Sequence, residues 1–205
     1  MELTWYGLSC FRITERNYAT VVTDPYAETL GLPGLKLKAD VATVSHQAKG
    51  HNYTKDIAGL LHEIDGPGEY EIGGVFITGI PTNHTNNVLY VFNYGNLTVA
   101  HLGDMQKVPS QTQIEALEEI NILLVPVGGG SSLNAAQAAE LVSMLEPNIV
   151  VPMHYALPGL KVDLDGVDRF LKEMGVTDLQ EEASLKVTEA RLPEETETIL
   201  LTPRI

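Results

Sequence analysis

The sequence predicts an α+β chain in which two β-sheets pack face to face with helices outside them. Three observations carry that expectation. Residues 1–104 consist largely of short β-branched and aromatic runs broken by glycine turns. From residue 110 the pattern changes to helical periods alternating with wholly apolar strands. No linker, low-complexity tract or tandem repeat divides the chain, so residues 1–205 are expected to form a single domain.

Taken in order, residues 1–16 alternate around Gly7 and carry Trp5, Tyr6 and Phe11, which predicts two opening strands. Residues 19–24, ATVVTD, predict a third, stopped by Pro25. After a Gly/Pro-containing loop, residues 41–45 read as a short buried strand rich in β-branched side chains. Residues 55–61 predict a short helix, residues 63–80 a glycine-punctuated meander, and residues 88–104 a hairpin turning at 94–96. In the second half, Ile114, Leu117 and Ile120 share a helical face behind a Ser110 cap, residues 121–127 form a buried strand, and residues 134–145 form an alanine-rich helix. Residues 148–154 are again a strand, residues 166–174 a helix closed by Gly175, and the last twenty residues a hairpin turning near Pro193.

Composition excludes several classes. No run of 18 apolar residues exists, and the amino terminus lacks the basic-then-apolar layout of a signal peptide. Cys10 is the single cysteine, so no intrachain disulfide forms and a cytoplasmic setting is the default; its ordinary role is a small buried hydrophobe. The formal charge of −14 repels phosphate backbones and anionic membranes, which argues against both as partners and against a nuclease. No basic patch stands out, since the densest basic segment, residues 35–38, holds only two lysines.

The chemistry concentrates at strand ends. His46 follows the strand at 41–45 and His51 follows five residues later, just before a helix-start pattern at Asn52. His84 follows the strand ending at Ile80, Asp104 ends VAHLGD, and His154 ends VVPMH. A common sheet edge can gather such positions, and loops beyond strand ends are where open α/β sheets place their sites. Imidazole and carboxylate together suit Zn²⁺, with Fe²⁺ or Mn²⁺ as alternatives, and three protein ligands plus water is the pattern of a catalytic zinc site. His62 and His101 are expected to be structural, and Tyr155 to pack beside the last strand of the group. Gly128, Gly129 and Gly130, followed by Ser131 and Ser132, are expected to open a helix; they suit either an anion cradle or a tight strand-to-helix turn, and lack the Gly-Lys-Ser/Thr of a nucleotide loop.

The order and spacing of TDP at 23–25, SHQAKGHN at 45–52, DGPGEYEI at 65–72, HLGD at 101–104, VPVGG at 125–129 and PMHY at 152–155 resemble the metallo-β-lactamase superfamily, specifically its small bacterial Zn-dependent hydrolase group, over essentially the whole chain. The resemblance implies an αββα four-layer sandwich with a dinuclear metal site at one edge of the two sheets. By position, the family's H-x-H-x-D-H loop falls on His46, Ala48, Gly50 and His51, so its second histidine and its aspartate are absent here. His84 then belongs to the first metal, His154 to the second, Asp104 bridges both and is the catalytic aspartate, and Asp24 braces the ligand loop without touching metal. Each metal position keeps two histidines and shares one carboxylate, which favours one bound ion over two, or none at all.

Two readings of function follow. The first is a metal-dependent hydrolase acting through metal-activated water on a small-molecule carbonyl or phosphoryl substrate, slowed by the missing carboxylate at Gly50. The second is a catalytically inactive binding or structural module on the same fold, to which Ala48 and Gly50 point. A homo-oligomer is compatible with either.

Overall fold

A computed structural model describes residues 1–82, 86–110, 114, 117, 119–177 and 179–205. The chain opens with strands β1 (Glu2–Trp5), β2 (Phe11–Thr14), β3 (Val21–Thr23), β4 (Val41–Thr43) and β5 (His62–Ile64). Strands β6 (Gly68–Ile72), β7 (Val75–Pro81), β8 (Val88–Tyr94), β9 (Leu97–His101) and β10 (Ile122–Pro126) follow. The remainder alternates: helix α1 (Ala135–Leu145), β11 (Ile149–Met153), helix α2 (Asp168–Glu173), then β12 (Gln180–Glu182), β13 (Leu185–Lys186) and β14 (Glu197–Leu201).

Among the described residues these strands make two sheets. The first runs β13-β1-β2-β3-β4-β5 and the second β12-β14-β11-β10-β9-β8-β7-β6. Strands β3, β4 and β5 are mutually parallel, as are β9, β10, β11 and β14. Parallel strands present their carboxyl ends on one edge, and that arrangement builds the site described below.

Alternation along each strand divides its side chains between two apolar layers. Leu3, Trp5, Phe11, Ile13, Val21 and Val41 of the first sheet join Ile77, Phe92, Val99 and Val125 of the second in one buried cluster between the sheets. The opposite face of the first sheet carries Val22, covered by Leu8, Cys10, Tyr26, Leu32, Leu35, Leu37 and Ile57. That outer layer consists of extended chain and the 3₁₀ turns Glu28–Leu30 and Thr54–Asp56, whereas α1 and α2 bury Ala138, Leu141, Val142 and Phe170 against the second sheet. Strands β10 and β11 are buried at every position, as a parallel strand covered on both faces requires. The α+β sandwich expected from the sequence is therefore present, with one of its outer layers made of loop and 3₁₀ turns. Cys10 is fully buried in that layer, and burial pushes its thiol well above the ordinary range.

Four expectations need correction. Residues 55–61 are not an α-helix: the 3₁₀ turn Thr54–Asp56 gives way to an extended segment bridging Lys38 to Ala58, and Gly59 takes a left-handed φ of +73°. The meander is split, because β5 pairs with β4 in the first sheet and only β6 and β7 belong to the second. The carboxyl-terminal hairpin is absent: β14 lies parallel to both β11 and β12, while β13 crosses to pair with β1. In both sheet assignments local alternation identified extended chain but not its partner, which the other strands decide. The glycine run at 128–130 does not itself open a helix; α1 begins at Ala135. Most of the helix expected over 110–120 lies outside the described residues, though Ile114, Leu117 and Ile120 are buried as their shared face anticipated.

Helix α1 begins at a capping box: Asn134 Oδ1 accepts from the Gln137 backbone N–H, and Gln137 Oε1 accepts from the Asn134 N–H. Asn134→Ala is expected to lower stability by about 1 kcal/mol, read as a lowered denaturation midpoint in urea with unchanged slope.

Candidate metal centre

Four chain segments bring the site together. The first leaves β3 at Asp24, which takes a left-handed φ of 39°. The second leaves β4 through Ser45 and His46, turns by Ala48 N–H to His46 O (2.9 Å) and His51 N–H to Ala48 O (2.8 Å), and so folds His51 back under His46. Their ring centroids lie 4.1 Å apart. The third leaves β9 through Leu102 and Gly103 to Asp104. The fourth leaves β11 at His154, whose φ is 53° and whose ring centroid lies 5.2 Å from that of His51. A left-handed non-glycine residue persists only where its surroundings hold it there. The His154 backbone N–H donates to Leu8 O (3.0 Å), and the same carbonyl accepts from Trp5 Nε1 (2.9 Å).

Asp24 is fully buried. Its Oδ1 accepts from the Ser45 N–H (2.7 Å), and its Oδ2 contacts Ser45 Oγ (2.6 Å) and His51 Nδ1 (2.7 Å). Burial pushes the Asp24 carboxyl up, but His51, by charge and hydrogen bond, outweighs it and holds the group below the usual carboxylate range. The reciprocal holds for His51, where burial opposes the charge and Asp24 lifts the imidazole above its ordinary value. Because an ionised carboxylate only accepts, the neutral His51 ring carries its proton on Nδ1 and keeps its Nε2 lone pair, the form a metal would bind. His46 differs: burial and the neighbouring His51 lower it, favouring the neutral ring that a ligand must be.

Asp104 faces these rings. His46 Nε2 lies 3.8 Å from its Oδ2 and His154 Nδ1 lies 3.4 Å from its Oδ1. Ser131 Oγ donates to Oδ2 (2.8 Å), so the hydroxyl of the glycine loop serves this carboxylate. Burial would raise the Asp104 carboxyl, yet His154, Ser131 and His51 together hold it at about 2. Asn87 fixes the backbone, with Oδ1 accepting from Asp104 N–H (2.8 Å) and Nδ2 donating to Leu102 O (3.1 Å). Donor atoms of His46, His51 and Asp104 all lie within 4.8 Å of one another. Asp104 Oδ1 and His154 Nδ1 are buried without an aligned hydrogen bond among the described residues. A donor set of imidazoles and carboxylate with two such buried atoms fits a divalent cation. A cavity of about 50 Å³ opens beside it, lined by His46, Asn86, Asn87, Asp104 and Gln106.

The structure thus gathers His46, His51, Asp104 and His154, while His84 lies outside the described residues. His101 is structural, its Nε2 2.8 Å from Ser9 O in full burial, and His62 is exposed on β5. Tyr155 packs on Trp5 at 5.0 Å between centroids. Sequence reasoning did not single out Ser45 or Asn87, and it offered Ser131 only as part of an anion cradle. The Ser-His pair at 45–46 carried a signal for the first; nothing local marked Asn87.

Two glycines beside the site are required by close approach. A Cβ on Gly128 would meet His154 O at 2.2 Å, and one on Gly103 would meet Asn87 Oδ1 at 2.4 Å and Ser45 Cβ at 2.5 Å, at a left-handed φ of +61°. Gly50 is different, since a Cβ there meets only Leu30 and Leu8 side chains at 3.6 and 3.8 Å.

Residues 2–154 match the family described as β-lactamase superfamily domain. A UPF0173 protein of Pyrococcus furiosus is 30% identical over 185 residues, spanning 76% of this chain and 83% of that protein. A UPF0173 metal-dependent hydrolase of Nanoarchaeum equitans is 27% identical, spanning 86% of this chain and 94% of its own. Among solved structures, a Thermotoga maritima protein bearing the name of a Zn-dependent hydrolase of the metallo-β-lactamase superfamily superposes with a TM-score of 0.82 at 35% identity, covering 98% of each chain.

The packing around the ligand loops generates a paired prediction. Gly103→Ala is expected to cost about 2–4 kcal/mol, from overpacking and left-handed strain together. Gly50→Ala should stay within about 1 kcal/mol of the parent. Equal effects of the two in chemical denaturation would contradict the close approach of Asn87 and Ser45 at Gly103.

Proposed function

The chain belongs to the metallo-β-lactamase superfamily, and on that premise we propose that it is a metal-dependent hydrolase of a small carbonyl or phosphoryl compound, with His46, His51, His84, Asp104 and His154 as its ligand set. The observation that carries the reading is the buried pair Asp104 Oδ1 and His154 Nδ1, which lie 3.4 Å apart yet have no aligned hydrogen bond among the described residues. Buried polar atoms are rarely left so, and a cation between loops of this composition would satisfy them. Zinc is the proposed ion because imidazole and carboxylate donors suit it and the Thermotoga maritima relative carries zinc in its name. Such an ion supplies Lewis acidity to the site when bound.

The chain's own residues prepare that site. Asp24 holds the His51 proton on Nδ1 and keeps Nε2 available. Ser45 Oγ, 3.3 Å from both His46 Nδ1 and His51 Nδ1, ties the two rings to the same carboxylate. Ser131 and Asn87 set the Asp104 side chain and backbone. Asn86 and Gln106 line the small cavity and offer amide donors to a substrate oxygen. With alanine at 48 and glycine at 50, the ligand loop supplies no carboxylate to take a proton, so turnover rests on Asp104 and is slow.

Metal analysis of the purified chain tests the proposal. About one Zn²⁺ per chain is expected after incubation and dialysis, with Asp104→Asn weakening retention at least about tenfold. Ala48→His combined with Gly50→Asp should raise occupancy towards about two ions, since the backbone at 50 accepts a Cβ. An unloaded protein after incubation with excess Zn²⁺, Fe²⁺ and Mn²⁺ would overturn the assignment.

A further inference from the structure

Acidic residues outnumber lysines and arginines by 27 to 13, and the sequence shows no basic patch. The fold assembles one. Arg12, Lys36, Lys38 and Arg204 line a single open cavity of about 750 Å³ on the outer side of the first sheet; among the described residues Glu28 is the one acidic side chain lining it, and the carboxyl-terminal Ile205 also borders it. Three separate segments contribute. Arg12 lies on β2 between the buried, inward Phe11 and Ile13, so it leaves from the outer face. Lys36 and Lys38 alternate with buried Leu35, Leu37 and Ala39, which puts both ammonium groups on the solvent side of one extended segment. Arg204 follows β14, its backbone N–H donating to Trp5 O at 2.8 Å.

Two observations separate this cavity from an ordinary solvated surface. None of its four cations forms an ion pair with a carboxylate among the described residues, although acids are in twofold excess over the whole chain. Arg12 is also held: its Nε donates to Lys38 O at 3.0 Å, which fixes the guanidinium plane and leaves its terminal nitrogens without a partner among the described residues. A fixed guanidinium fork recognises phosphate or carboxylate in a bidentate manner. Like charges around a concave, partly apolar wall focus their field into it, and the volume falls within the range of small-ligand sites.

We propose that this cavity is a binding site for a small polyanion bearing phosphoryl or carboxylate groups, separate from the metal centre. The two are joined by the segment between β3 and β4. Tyr26 and Glu28 line the cavity, and the adjacent Ala27 N–H donates to Lys49 O (3.0 Å) in the loop carrying His46 and His51.

Titration calorimetry on the full chain with tripolyphosphate, citrate and orthophosphate at about 150 mM salt, an ionic strength that screens loose surface attraction, tests the proposal. Tripolyphosphate against citrate distinguishes phosphoryl from carboxylate recognition. Saturable one-to-one binding of at least one of the two is expected, with orthophosphate weaker. Arg12→Ala, and independently Lys36→Ala with Lys38→Ala, should each weaken binding at least about tenfold, the scale of one lost charge-assisted contact. Lys172→Ala, on helix α2, should leave it unchanged. Arg12→Lys keeps the charge, removes the fork and serves should Arg12→Ala fail to fold; it too should weaken binding. Because polyanions also bind metal centres, the titration is repeated on His46→Ala, where affinity should persist. Failure of both polyanions to bind, binding as tight as the parent's by the Arg12 or lysine variants, or loss of binding in His46→Ala would each overturn the site.

Discussion

Asp24 is a carboxylate with no access to solvent, and a charge in that position costs several kcal/mol unless protein groups meet it. Three do: the Ser45 N–H, the Ser45 hydroxyl and His51 Nδ1. They come from the two ends of the same short loop, so the charge of one residue closes residues 45–51 into a ring. The approach of the His46 ring to the His51 ring, centroids 4.1 Å apart and planes tilted by 46°, follows from that closure. Asp24 thereby sets the loop's shape, the tautomer of His51 and the direction of its remaining lone pair, without itself facing the cavity.

The sheets perform the longer-range part. Parallel β3 and β4 deliver Asp24 and Ser45 at one edge, and parallel β9 and β11, flanking β10, deliver Asp104 and His154 at the facing edge. Joining two edges from different sheets demands short contacts between loops. The Val88 N–H donates to Ser45 O (2.8 Å) and the His154 N–H to Leu8 O (3.0 Å), each crossing from one loop system to the other. Gly103 and Gly128 stand where any side chain would force the loops apart. The left-handed backbone at Asp24 and His154 is the strain this junction imposes, and it falls on two residues of the site.

The candidate ligands were legible because histidine and aspartate at strand ends are few and conspicuous in a chain with six histidines. Their convergence was legible only through the resemblance to a family, since spacing alone does not say that position 46 meets position 104. What escaped was of one kind. Asn87, an amide in a loop with no distinguishing neighbours, becomes decisive only because its Oδ1 accepts from the Asp104 N–H seventeen residues on. Strand existence was readable from alternation, but the partners of β5, β13 and β14 were not, because pairing is settled by the whole sheet and not by the strand. The basic cavity was invisible for the same reason: its cations come from residues 12, 36, 38 and 204, and no short window of sequence contains more than two of them.

Charge accounts for why one ion suits the proposed centre better than two. Asp24 and Asp104 are both held below the ordinary carboxylate range, so both remain ionised near neutrality, and the imidazole ligands contribute no charge when metal-bound. A single divalent cation is neutralised by those two carboxylates. A second would stand uncompensated, because the position that offers a further carboxylate in the family loop is Gly50 and the one that offers a further imidazole is Ala48. Ser131 reinforces the same outcome, since its hydroxyl already occupies Asp104 Oδ2 and leaves Oδ1 as the oxygen without a hydrogen bond among the described residues. The substitutions at 48 and 50 are therefore consistent with each other: one removes a donor, the other removes a charge, and together they fit a mononuclear centre while leaving its remaining ligands, and the Asp24 brace behind them, intact.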